Sequence, residues 1–162
     1  MTLAELMLPE FDEEMARTRK VLAAIPAEQM GWQAKPEMRS VAWNANHLAE
    51  IVGWTAGIVA SDSFDVAPVG GPRYETPDER DPAKVLAAFD AHVAAARAAL
   101  AGASDAVLAE SWSLLMGGQP LFTMPKGACL RTWVMNHTIH HRAILATYLR
   151  LCGVDVPPVF GA

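Results

Sequence analysis

The sequence predicts an all-α protein, a four-helix bundle, on three observations. Four segments carry apolar residues at spacings of three and four, each bounded by helix start and stop signals. No run alternates apolar and polar residues convincingly enough to read as a strand. The chain is 52% hydrophobic and 19% charged over 162 residues, which suits one domain, 1–162, with a sizeable core.

The first helix is expected over about 2–24. Leu3, Leu6, Met7, Phe11, Thr18, Val21, Leu22 and Ile25 form its stripe. Pro9 either kinks it or opens a second helix at its first turn. Ile25-Pro26 closes it, because the residue before proline avoids helical angles. A connection containing Gly31 and Pro36 leads to the second helix, over about 40–60, with Ser40 as its N-cap. The connection over 61–81 holds Pro68, Pro72, Pro77 and Gly70-Gly71. One this long can cross a bundle from end to end and let helices two and three run parallel. Helix three starts at the cap Asp81 with Pro82 in its first turn and runs through Phe89, Val93 and Leu100 to Gly102. A short helical turn is expected over 104–109. A small hairpin follows over 111–125, turning at Gly117-Gly118. Helix four begins near Lys126 and ends at Gly153, and Pro157-Pro158 extends the tail.

Helix four organises the chain. At about 100° per residue, Val134, His137, His141, Ile144, Tyr148 and Cys152 fall within roughly 40° of Leu130, and Leu145 within roughly 60°. Two histidines therefore lie on the stripe expected to be most buried. An unpartnered imidazole there is costly, so something must bond it. On helix two, Trp43, Ile51, Trp54 and Ile58 share a face with His47. His137 and His141, one turn apart, can reach a single ion, and His47 supplies a third ligand. His92 and His140 read as bonded core or shoulder residues. Neutral imidazoles suit zinc, nickel, copper or iron(II), and three protein ligands leave a position open for water or substrate. A carboxylate-rich di-iron site does not fit, because no Asp or Glu occurs between Lys126 and Val154. Asn44 and Tyr148 are candidates for hydrogen bonds to the ligands or to a substrate. The back of helix four, Met135, Ile139, Ala143 and Ala146, is apolar enough to need cover from a loop or a second subunit, so a homodimer is expected.

Net charge is −5, which argues against nucleic acid or an anionic membrane as the main partner. No apolar run reaches the roughly 20 residues of a membrane span, and the start lacks a basic signal-peptide region, so a soluble cytoplasmic protein is expected. Cys129 and Cys152 are 23 positions apart, or roughly 35 Å along a helix, too far for a disulfide.

The run Asn136-His137-Thr138-Ile139-His140-His141-Arg142, then Tyr148-Leu149-Arg150, Gly153 and Pro157-Pro158-Val159-Phe160-Gly161, resembles the DinB-like family of metal-dependent proteins. Asn46-His47-Leu48-Ala49-Glu50-Ile51 fits as well. The resemblance implies a bundle in up-down-down-up order, often dimeric. It also implies nickel or zinc on three histidines, which map onto His47, His137 and His141. Members usually follow the His-His-Arg run with Gly-Gln; here Ala143-Ile144 follows, and Ile144 is expected to make the pocket more apolar. Relatives include transferases and isomerases that use low-molecular-weight thiols such as bacillithiol or mycothiol. The expected activity is thiol transfer onto an electrophile, with Arg142 as a candidate for binding a carboxylate of the thiol. Metal-assisted hydrolysis and a non-catalytic metal-binding or stress-response role are the alternatives.

Overall fold

Thr2 opens the first helix through a reciprocal cap. Its side chain accepts from the Glu5 N–H at 3.1 Å, and the Glu5 carboxylate accepts from the Thr2 N–H at 2.8 Å. In the computed structural model, which describes residues 1–160, α1 then runs over Leu3–Ala23. Pro9 lies on its exposed side and does not divide it. Gly161, which closes the C-terminal motif, lies outside the described residues. Ser40 caps α2 (Val41–Ala60) by accepting from the Trp43 N–H at 3.1 Å. Asp81 caps α3 (Pro82–Gly102), with the proline at its start. A short α4 (Asp105–Ala109) follows.

The last helix is continuous but not uniform. It comprises α5 (Lys126–Cys129), a π-helical segment (Leu130–Asn136) and α6 (His137–Leu151). The wider π turn sets back everything beyond it by about one residue, or about 100°. The buried side of α6 is therefore centred on Thr138, Arg142, Leu145 and Leu149, rotated away from the arc centred on Leu130, of which Leu145 and Tyr148 remain buried. His137 and His141 move to the half-buried shoulder that faces α2. Met135 and Ala146 are buried within the chain itself, so that part of the helix needs no second subunit to cover it.

Salt bridges fix the directions of the helices. Arg19 meets Asp90 and Arg97 meets Asp12, each at 2.8 Å, so α1 and α3 are antiparallel. Arg131 reaches Glu10 at 3.1 Å and Arg142 reaches Glu14 at 2.6 Å, so α1 and the last helix share a direction. His47 faces His137, and Asn44 faces His141, so α2 and α6 are antiparallel. Between the helices, Phe11, Leu22, Leu48, Ile51, Phe89 and Leu145 are almost fully buried. Each contributes about 1.5–3 kcal/mol of transfer free energy. At the C-terminus, Phe160 lies over the Arg17 guanidinium, 4.1 Å from its ring centre, with Arg142 behind at 5.8 Å.

The fold is mostly helical rather than all-α. A three-stranded sheet packs on one end of the bundle, in the order β1 (Ser63–Asp65), β2 (Ser111–Met116), β3 (Gln119–Pro125). The expected hairpin is β2–β3, antiparallel, with Leu114 opposite Phe122. Its turn needs positive φ at two successive residues, and Gly117 and Gly118 supply φ of 60° and 78°. β1 was not expected; three residues are too few for a period to be read, and it pairs in parallel with β2. Asp65 ties the two parts together by accepting from the N–H groups of Gly117 at 3.1 Å and Gly118 at 2.6 Å. The slight burial of the Asp65 carboxyl works to raise its pKa, but these donors and the Ala67 N–H hold it below the usual carboxylate range.

By length and composition alone, α3 is apolar enough to cross a membrane. That hydropathy comes from an alanine-rich sequence, and Asp90 and Arg97 on this helix are ion-paired with α1. Both cysteines are free, as their separation requires.

Candidate metal centre

Nitrogens of His47, His137 and His141 lie within 4.8 Å of one another. Zinc–nitrogen bonds of about 2.0–2.1 Å place tetrahedral ligand nitrogens roughly 3.4 Å apart, so a modest inward movement of the rings would close this triangle. The ring centres are 4.6–5.1 Å apart. Trp43 stacks on the His47 ring at 4.6 Å, and Trp54 meets its edge at 5.7 Å.

Burial comes first among the causes that keep two of the imidazoles neutral. It pushes His137 down to about 4, helped by repulsion from His47 and opposed by the Trp133 carbonyl. It pushes His141 down to about 3, with His47, His137 and His140 adding repulsion. Neutral rings are the form that binds a cation.

Asn44 orients one of them. Its Nδ2 donates to the Ser40 carbonyl at 2.9 Å, which turns its Oδ1 toward His141 Nδ1 at 3.2 Å. With a proton assigned to Nδ1 for that bond, His141 Nε2 keeps a free lone pair. His47 Nδ1 and His137 Nδ1 are buried without a hydrogen-bond partner, which is unusual for a histidine left to itself. The donor set and these orphaned atoms fit a divalent ion.

Glu50 stands behind His47, its Oε2 3.8 Å from His47 Nδ1. That oxygen is also buried and unpartnered. Its Oε1 accepts from the Tyr74 hydroxyl at 2.6 Å, and Trp54 Nε1 donates to the same hydroxyl at 3.1 Å. Burial, then the Glu50 bond, pushes the Tyr74 pKa well above its ordinary range, against a smaller pull from Trp54, so the hydroxyl keeps its proton and donates it. Sequence reasoning missed Tyr74. The available signal was a lone tyrosine in a long Pro/Gly-rich connection, a place where loop residues often serve a site.

A cavity of about 390 Å³ adjoins His47 and His137. Its walls come from α2, the π segment and the sheet, including Trp54, Leu114, Phe122 and Trp133. Cys129 also lines it, but burial pushes this thiol up to about 11, so it stays protonated and is a poor nucleophile at neutral pH.

This arrangement of helices is found in known proteins. The sequence profile of the DinB superfamily matches residues 10–145. The chain belongs to the DinB superfamily. Two solved DinB-like proteins share its fold. One, from Bacillus cereus ATCC 10987, has a TM-score of 0.74 at 20% identity, covering 96% of this chain and 97% of that one. The other, from Bacillus subtilis, has a TM-score of 0.70 at 16% identity, covering 97% and 99%. Among curated proteins, none matches significantly.

Within this DinB fold, the remaining candidates divide. Asn44 is at the histidines. Arg142 is not: its guanidinium is buried against α1, donating to the Glu14 carbonyl at 3.1 Å and to Thr18 Oγ1 at 3.3 Å. The π segment turned it from the flank into the core, so it is unavailable to a substrate carboxylate. Tyr148 packs edge-on against Trp32 at 5.4 Å and does not line the cavity. Ile144 does not line it either; the apolar character comes from the sheet and α2. His92 Nδ1 is bonded to the Ala49 carbonyl at 2.7 Å, the core role expected of it. His140 is exposed beside His141 and outside the triad.

Proposed function

We propose that this DinB-superfamily chain is a divalent-metal enzyme that transfers a low-molecular-weight thiol onto an electrophile, with His47, His137 and His141 as ligands. Three converging imidazoles beside an apolar cavity carry the reading. The metal is nickel or zinc; when bound, it lowers the pKa of a coordinated thiol and so favours the thiolate. The chain's own residues prepare the site. Asn44 fixes the His141 ring. Glu50, held by the Tyr74 hydroxyl, faces His47 Nδ1 and favours a proton there, leaving Nε2 as donor. Trp43 and Trp54 keep water from the flanks of His47. In the transfer, sulfur bonds to the electrophilic carbon, the leaving group departs with the electrons of the broken bond, and the thiol proton passes to solvent.

The reading includes one domain over the whole chain, in up-down-down-up order, which the helix pairings support. It also includes a cytoplasmic homodimer. Hydrolysis is the second reading, because three protein ligands would leave a position open for water. Assays of the metal-loaded protein with a panel of electrophiles, with and without bacillithiol or mycothiol, separate these readings. Turnover that needs the thiol supports transfer. Thiol-independent turnover replaces it with hydrolysis, and no turnover in either condition replaces both with a metal-binding module.

A further inference from the structure

The cavity beside the histidines is more selective than a metal site requires. Six aromatic rings from α2, the 61–81 connection, the sheet and the π segment line it, with no Asp, Glu, Lys or Arg among them. Phe122 and Trp133 stack at 4.8 Å and 8° on one wall. The Tyr74 hydroxyl, a rare polar group there, is already engaged by Glu50 and Trp54. On α2, Gly57 faces the space without a side chain, and a Cβ there would meet nothing within 4 Å. Glycine costs an α-helix interior about 1 kcal/mol relative to alanine, and here its effect is to keep the cavity open.

We infer that this cavity binds an uncharged, largely apolar ligand of about two fused rings, with one end at His47 and His137. Size supports the estimate: apolar cavities of about 150 Å³ take one benzene ring, and this one measures about 390 Å³. Charge supports the class, because away from the histidines no charged side chain lines the cavity, and an ion placed there would lose its hydration with no counter-charge to replace it. The ligand is then the electrophile, and the polar body of a sugar-bearing or carboxylate-bearing thiol stays outside. The assignment of the ligand as electrophile rests on the proposed transferase activity; the apolar binding itself does not.

The test compares 1-naphthalenemethanol with 1-naphthalenesulfonate, which share a two-ring body and differ in charge. Binding is followed by titration calorimetry and tryptophan quenching on the protein as purified. The alcohol should bind at least about tenfold more tightly than the sulfonate. Gly57→Trp, which fills the space, should weaken the alcohol by about tenfold or more while metal content stays at the wild-type level. Leu114→Lys, which puts a charge into the opposite wall, should do the same and serves if the first variant does not fold. Equal binding of the sulfonate, undiminished binding in a folded variant, or no binding of the alcohol at millimolar concentration overturns the inference. Retained alcohol binding without thiol transfer would instead remove the transferase reading and leave the apolar site in place.

Discussion

His137 and His141 stand one turn apart on α6, and burial, with repulsion from His47, holds both imidazoles neutral. That depression has a consequence for the metal-free protein. In the unfolded chain both titrate near 6.5, so below that pH the unfolded state binds more protons than the folded one. Stability contributed by these rings is complete above about 6.5 and is lost as pH falls toward about 4 for His137 and about 3 for His141. Thermal melts of chelator-treated protein should show a falling midpoint over that window, and His137→Gln should flatten the fall. A midpoint unchanged between pH 6.5 and 4 would contradict the burial of these rings. Arg142 makes the opposite point: a basic residue next to the histidine motif is not thereby a substrate contact. Its pair with Glu14 is buried, and removing one partner of such a pair costs about 3–5 kcal/mol. Arg17 also pairs with Glu14, so Arg142→Ala should fall near the lower end, about 3 kcal/mol in urea denaturation. A loss below about 1 kcal/mol would mean that the pair is solvent-screened.

The helices were legible because each carries its own punctuation. Ser40 and Asp81 sit at caps, Pro82 opens α3, and Gly153, with φ of 83°, closes the last helix. The π segment was not legible, because nothing in Leu130–Asn136 breaks the apolar pattern; the wider turn is chosen by packing. A uniform 100° step therefore placed His137 and His141 at the centre of the buried face when they lie on its shoulder. The triad survived the error because their mutual spacing lies wholly within α6. Arg142 did not, because its role depended on absolute phase. The strand Ser63–Asp65 was illegible for another reason: its pairing with β2 joins residues about 50 positions apart. Its Asp65 offers an element-scale test. Asp65→Ala should speed amide exchange of Gly118 by about tenfold or more, and of Gly117 by less because its N–H also donates to the Ala67 carbonyl at 3.1 Å, while leaving metal binding unchanged, because the sheet walls the cavity but supplies no ligand. Unchanged exchange at both glycines would show that the turn does not depend on the carboxylate.

At the scale of the whole molecule, the site is assembled from distant parts of the chain. His47 comes from α2, His137 and His141 from α6, Tyr74 from the long connection, and the cavity wall from β2 and β3. The triad could be read from the sequence because each ligand lies on an amphipathic helix whose partners follow from bundle packing. Tyr74 and the aromatic wall could not, because loops and short strands carry no period that places them in space. The proposed chemistry requires that His47, His137 and His141 together hold one divalent ion. The direct measurement is elemental analysis of the protein purified without a histidine tag, beside His47→Ala and His141→Ala variants shown by circular dichroism to be folded. The expected result is about one nickel or zinc per chain in the parent and a small fraction of that in each variant. A full complement of metal in both folded variants, or none in the parent after incubation with either ion, would contradict it.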